Sequence, residues 1–425
     1  MRKKGMRLLS ASLAIILTGI SLAGCSLKKE SGKIEIEIVQ YKPEAANFFE
    51  KVEEDFNATH DNIHLSINSP NDASTILRTR FIREDYPDII GIGGDINYSY
   101  YVDADILADL SDYKGLENIK QVYLDIDDAL EIVPKEGTFA IPYVANAAGV
   151  LYNKDMFKEH GWKIPKTWSE FTKLCEDIKE EGILPIYLGF KDTWTCLAPW
   201  NAMAVDLAPA LTPKMVNKGE TTFTKEYGEL SEKYLKLLEY GPDDPFAYGY
   251  TDACTAFARG ESAMYTIGSY AISQILSVNP DMNIDSFTMP ANDDTEKNSL
   301  NSGIDLQFCV AADCENKEAA YEVLDFLYSD ENIQKYIDNQ LAVPCKEGDF
   351  EISEVLDGMK DDIQSGNMKD FQDHYYPSEM AVDAQLQTFL IQKDRDAFLK
   401  KFDTDWKRYN RDIIRKVEEY EEENK

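Results

Sequence analysis

The chain has 425 residues, 77 acidic against 44 basic, and a formal charge of −33. That balance repels nucleic acids and anionic lipid headgroups, so neither is an expected partner. The length suits roughly two or three domains with a sizeable core, and the lack of any fixed-period repeat or low-complexity tract excludes solenoids and propellers.

Arg2, Lys3, Lys4 and Arg7 open the chain with positive charge, and Leu8 to Leu22 follow as an uncharged apolar run. A run of roughly 15 residues is short for a membrane span and has the form of an export signal. It closes on Leu22-Ala23-Gly24-Cys25, which resembles the bacterial lipobox. Residues 1–24 are therefore expected to be a lipoprotein signal peptide, Cys25 a lipidated N-terminus, and residues 25–33 a polar tether. An ordinary secretory signal or an uncleaved anchor is the alternative. Losing four cations takes the charge from −33 to −37, so lipid rather than charge would hold the protein on the outer face of the cell membrane. The other six cysteines are scattered without a C-x-x-C, which leaves small buried thiols and disulfides both open.

From Ile34 to Val39 the residues alternate with period two, as in a strand. Phe48, Val52 and Phe56, with Phe49 beside them, predict an amphipathic helix. A strand at Ile63 to Ile67, a helix at Thr75 to Arg83 and a short apolar strand through Pro87 to Ile92 follow, the last running into Gly93-Gly94-Asp95. This alternation predicts a mainly parallel sheet covered on both faces. Thr167-Trp168-Ser169-Glu170 reads as a capping box before an apolar face of Phe171, Leu174, Cys175 and Ile178. Ala319, Ala320, Val323, Leu324 and Leu327 mark another helix, and Ser329 restarts a third. Phe398, Phe402, Trp406, Tyr409, Ile413 and Val417 form a C-terminal stripe expected to pack on its own domain.

Three stretches carry a resemblance. They are Phe139 to Tyr143 with Leu151 to Phe157 and Pro165 to Phe171, then Phe257 to Tyr265, then Ala311-Ala312 with the helix from Asn316 to Tyr328. In this order they resemble the maltodextrin-binding proteins and the wider family 1 of extracellular solute-binding proteins. The resemblance implies an α/β, two-lobed type II periplasmic-binding-protein fold with a hinge and a ligand cleft between the lobes. Lobe 1 would comprise 34–146 with 306–345, and lobe 2 would comprise 147–305 with 346–425. It further implies a monomer that captures a carbohydrate and docks on the permease subunits of an ABC-type importer, with no cofactor, no metal ion and no catalysis.

By the same resemblance, Asp95 stands where a carboxylate accepts sugar hydroxyls, although an aspartate capping the next helix reads equally well. Tyr41 and Asn146 fall at contact positions, and Asn146 departs from the acidic residue of the maltodextrin proteins. Trp194 and Tyr270 stand near stacking positions, where aromatic faces meet the C–H faces of sugar rings. Core packing is the alternative for both, and Trp200, Tyr375 and Tyr376 are weaker candidates. If the ligand were instead a polyamine, Asp95 with Asp305 could begin its site, and a peptide or metal chelate also remains open. G-x-S-x-G, H-E-x-x-H, Walker A and zinc-spaced cysteines do not occur, so a lipid-anchored glycosidase built on paired carboxylates is the residual enzymatic reading.

Overall fold

A computed structural model describes residues 32–424. The signal segment, Cys25 and the first part of the tether lie outside the described residues. The strands are β1 (Ile34–Gln40), β2 (Ile63–Asn68), β3 (Ile89–Ile92), β4 (Ile141–Ala148), β5 (Val150–Asn153) and β6 (Leu184–Tyr187). They continue with β7 (Ser262–Tyr265), β8 (Ile284–Phe287), β9 (Leu300–Val310), β10 (Val343–Pro344) and β11 (Met368–Lys369). Two sheets result, one in each lobe. The larger runs β10-β4-β9-β3-β1-β2 with β11 beside β9, and the smaller runs β6-β7-β5-β8.

The first two strands fall where alternation puts them and the third on the apolar run through Ile92, and β1 pairs in parallel with both β2 and β3. The expectation of a mainly parallel sheet fails beyond that point. Strand β9 runs antiparallel to β3 and β4, and β10 antiparallel to β4, so the sheet is mixed. The reason lies in the chain path: β4 and β9 pass between the lobes in opposite directions rather than returning through a crossover helix. Both are buried nearly throughout, and such strands show no alternation by which to read them.

Helix Ala46–Thr59 buries Phe49, Val52 and Phe56 as its pattern requires. Phe49, Tyr143, Phe308 and Tyr336 then join in one aromatic core, with neighbouring rings 5.2–6.2 Å apart. Thr167 caps helix Trp168–Glu180 by accepting from Glu170 N, but Glu170 accepts from Lys166 N, one residue outside a capping box. Ser329 caps helix Asp330–Gln340. The C-terminal stripe is divided at Asn410 into helices Arg395–Tyr409 and Arg411–Glu423. Phe398, Phe402 and Trp406 are buried in their own chain, whereas Tyr409 is exposed. Lys416 on the last helix pairs with Asp103 of helix Ile96–Asp103, which packs beside the larger sheet. All six cysteines among the described residues are free thiols, five of them buried. No helix among the described residues is long and apolar enough to cross a membrane.

Gly149 is the single residue between β4 and β5, where the chain leaves one sheet for the other. A Cβ there would sit 2.6 Å from the Phe287 carbonyl oxygen, and backbone cannot give way as a side chain can. Gly149→Ala is expected to lower unfolding stability by about 1–3 kcal/mol in denaturant titration. Gly228→Ala, which meets nothing within 4 Å, should be near neutral.

Candidate functional site

The carboxyl ends of β1 and β3 deliver the first group of side chains, as expected for ligand sites in α/β sheets. Tyr41 follows β1 and donates its hydroxyl to the backbone oxygen of Asp305 in β9. Gly93, just after β3, lies against that phenol: a Cβ there would be 3.1 Å from the Tyr41 oxygen. Burial raises the Tyr41 pKa, reinforced by Asp305 and Asp95, so the phenol stays a neutral donor.

Asp305 is the hub of this group. Its Oδ1 accepts from Asn146 Nδ2 at 2.8 Å and from Lys42 Nζ at 3.0 Å. Asn146 lies on β4, directly across from Gly303 of β9. Lys42 also pairs with Glu44 at 2.9 Å, so it is shared between two carboxylates. Burial works against the Lys42 charge, but Asp305 and Glu44 prevail and raise its pKa.

Asp95 caps helix Ile96–Asp103. Its Oδ1 accepts from Asn97 N at 2.8 Å and Asn97 Nδ2 at 3.0 Å, which fixes the carboxylate, while no hydrogen bond takes up Oδ2. Burial raises its pKa, partly offset by His374 and Asn97. The helix-capping reading of Asp95 therefore holds, and the carboxylate also stands near His374 and Asp370.

The segment after β11 supplies charges that the sequence analysis passed over. His374 Nδ1 lies 2.7 Å from Asp370 Oδ1, off hydrogen-bonding alignment, so charge rather than a directed bond holds the pair. Gly303 makes room for this segment: a Cβ there would be 2.2 Å from Asp370 Oδ1 and 2.8 Å from His374 Cε1. Burial opposes protonation of His374, but Asp370, Asp373 and Asp95 outweigh it and hold the imidazole pKa up to about 9. Burial raises the Asp373 pKa, with His374 and the 2.9 Å bond from Asn201 Nδ2 opposing.

The smaller-sheet lobe contributes aromatic faces. Trp194 is 41% exposed, and its ring lies 5.0 Å from Tyr250 and 6.1 Å from Tyr270. Tyr270 is half-buried, with its ring folded back over Gly268, where a Cβ would be 2.3 Å away. The Tyr270 hydroxyl lies within electrostatic reach of Asp373 and Asp305, so the aromatic group and the acidic group share one space.

The six expected positions are linked in the structure: Tyr41 and Asn146 bond to Asp305, Asp95 and Asp305 both act on Tyr41, and Tyr270 lies near Asp305 with the Trp194 ring 6.1 Å away. The weaker candidates are core residues. Trp200 is fully buried, donates to the Tyr376 hydroxyl at 3.3 Å, and packs on Tyr227 and Phe398. Tyr375 and Tyr376 are buried too. The short helix Gln372–Tyr375 brings Asp373 and His374 to the cleft and sends the following tyrosines into the core. Tyr250, Lys42, Asp370, Asp373 and His374 were missed. The run Asp373-His374-Tyr375-Tyr376 was the available signal, read two residues too late. The arrangement offers several carboxylate acceptors opposite a rigid aromatic surface, a combination that suits polyhydroxylated rings with one apolar face.

Residues 41–334 match the family described as bacterial extracellular solute-binding protein. The multiple sugar-binding protein of Streptococcus mutans is 27% identical over 335 residues, covering 76% of this chain and 78% of its own. The melibiose/raffinose/stachyose-binding protein MelE of Bacillus subtilis is 24% identical over 298 residues, covering 66% and 67%. Among solved structures, the apo form of RafE from Streptococcus pneumoniae superposes with a TM-score of 0.78 at 23% identity, covering 90% of this chain and 99% of that one. With the match spanning most of the chain and the same two-lobed architecture, this protein belongs to the bacterial extracellular solute-binding proteins.

Proposed function

We propose that the protein is the sugar-capturing subunit of an ATP-driven importer, holding an oligosaccharide between its lobes and passing it unchanged to the permease. The observation that carries this reading is the nearness of the Asp305 and Asp373 carboxylates to Tyr270, whose ring stands with Trp194 and Tyr250 in one aromatic group. Relatives named for multiple sugars and for melibiose, raffinose and stachyose support the ligand class. In this reading 34–146 with 306–345 move as one lobe and 147–305 with 346–425 as the other. The protein acts as a monomer, anchored through Cys25 on the outer face of the membrane.

A polyamine would also seek an acidic cleft. Here Lys42 and His374 already compensate Asp305 and Asp370, which leaves less net negative charge than four carboxylates imply. Calorimetric titration with raffinose, stachyose and spermidine separates the readings: saturable heat with a sugar and none with spermidine is expected, and the reverse would overturn the sugar reading. The sugar should return chemically unchanged by chromatography. Steady release of shorter sugars would instead make the protein a glycosidase.

With a bound sugar in hand, Asp95→Ala should weaken affinity roughly tenfold to a hundredfold, the worth of a hydrogen bond to a charged acceptor. Tyr270→Ala should weaken it similarly and Tyr270→Trp should retain it, because stacking area is what the ring contributes. Melting of the sugar-free variants, little changed, separates this role from core packing.

His374 makes stability depend on pH in a defined direction. Its folded pKa of about 9 exceeds the ordinary 6.5, so its contribution is full below 6.5 and is lost as pH rises through 9. Wild type should exceed His374→Gln by on the order of 2 kcal/mol at pH 6 in denaturant titration, and the gap should close by about pH 10.

Cys25→Ala should abolish lipid modification and leave the lobes folded. Intact-mass measurement that still finds acyl chains on the variant would exclude the proposed anchor.

A further inference from the structure

Asp95 and Asp373 each keep one oxygen for a ligand. Asp95 Oδ1 takes both bonds from Asn97 and Asp373 Oδ1 takes the bond from Asn201, so among the described residues neither Oδ2 is hydrogen-bonded. Both residues are half-buried. Asp370 is different: its two oxygens are buried without a hydrogen bond, and His374 Nδ1 stands 2.7 Å from one of them, off alignment. The imidazole lies on the Phe371 ring, 5.0 Å away and 25° from parallel, in the space that Gly303 leaves. Packing therefore fixes where His374 sits, and what it brings there is charge.

Three elements surround the imidazole. Asp370 and Asp373 belong to its own segment, and Asp95 acts on it from the head of helix Ile96–Asp103. Asp127 of helix Gln121–Leu130 stands near Asp370, but burial raises its pKa and leaves it a neutral acid. Burial likewise keeps the phenols neutral, those of Tyr270, Tyr227 and Tyr376 about Asp373 and those of Tyr41, Tyr100 and Tyr101 about Asp95. Lys42 is shared by Asp305 and Glu44. His374 is thus the leading influence that opposes burial at both Asp95 and Asp373.

We propose that His374 is a positioning residue for sugar capture: set among Asp95, Asp370 and Asp373, its charge holds Asp95 and Asp373 as ionised acceptors and so sets how acid the surroundings can become before capture fails. This rests on the sugar-capturing reading and adds a condition to it. A carboxylate accepts charge-assisted bonds from hydroxyls, whereas a protonated carboxyl has less acceptor capacity and no charge. Burial alone drives both aspartates toward the protonated form as the pH falls. The imidazole, whose pKa of about 9 keeps it charged throughout the acid range, opposes this. Asp370, closed off by burial, keeps the imidazole protonated.

The aspartates are read first without ligand, by carboxyl carbon NMR titration of the purified protein, with Asp95→Asn and Asp373→Asn assigning the signals. In His374→Gln both midpoints should lie about one pH unit higher than in wild type, and in His374→Lys they should return toward it. His374→Asn serves as a second neutral variant, and melting shows which variants are folded. Calorimetry with raffinose or stachyose between about pH 5 and pH 8 then reads capture. Over that interval His374→Gln should lose roughly tenfold more affinity on acidification than wild type does. A residue that merely shapes the segment would weaken binding equally at every pH. Unmoved carboxyl midpoints in the neutral variants, or affinity profiles that run parallel to that of wild type, would overturn the role of His374. Wild type that takes up neither sugar at any pH would sink the sugar reading instead, and the carboxyl midpoints would still decide whether His374 holds the charges.

Discussion

Strand β9 is buried along both faces, and its antiparallel pairing with β4 ties the two lobes together. A strand so enclosed tolerates few polar groups unless each is bonded, which makes Asp305 on it informative. Its carboxylate is bonded by Asn146 from the neighbouring strand and Lys42 from the end of β1, and its carbonyl by Tyr41. The end of β1 and strand β4, distant in sequence, are thereby both registered against one residue of β9. Gly303, two positions earlier on β9, has no side chain because the 370–374 segment occupies that space. The cleft is thus organised by what the crossing strand can accommodate, and the aromatic surface is set opposite it.

Charge in the cleft is distributed rather than simply accumulated. Asp305 shares Lys42 with Glu44 and Asp370 has His374, whereas Asp95 and Asp373 are held by neutral amides, Asn97 and Asn201. The amides fix the orientation of a carboxylate without cancelling its capacity to accept from a hydroxyl. A neutral polyol therefore meets oriented acceptors, and His374 limits how much negative charge they carry together. Such preorganisation lowers the ordering cost of binding, which matters more to affinity than the area covered.

The sequence exposed those parts of the fold whose physics is local. Period-two alternation located β1 and β2, and the Phe49, Val52 and Phe56 stripe located the first helix, because each element shows one face to solvent. Strands β4 and β9 show solvent no face, so their direction and partners were invisible, and with them the mixed character of the sheet. The same division holds for the site. Tyr41 and Asp95 follow directly on strand ends, where the resemblance puts them. Tyr250, Asp370, Asp373 and His374 come from connecting segments whose path depends on tertiary packing. In the run from Asp373 to Tyr376 only the two tyrosines stood out in the sequence, and the short helix Gln372–Tyr375 that separates them from the polar pair depends on tertiary packing.

The last helix holds the larger-sheet side through Lys416 and Asp103, while the Lys218–Glu421 pair fastens it to the helical lobe. Any change in the spacing of the lobes must stretch or break the first of these pairs. Both partners are partly solvated, so the pair is weak and screened by salt within roughly 8–10 Å. The pair therefore adds little to stability and weakens as salt is added.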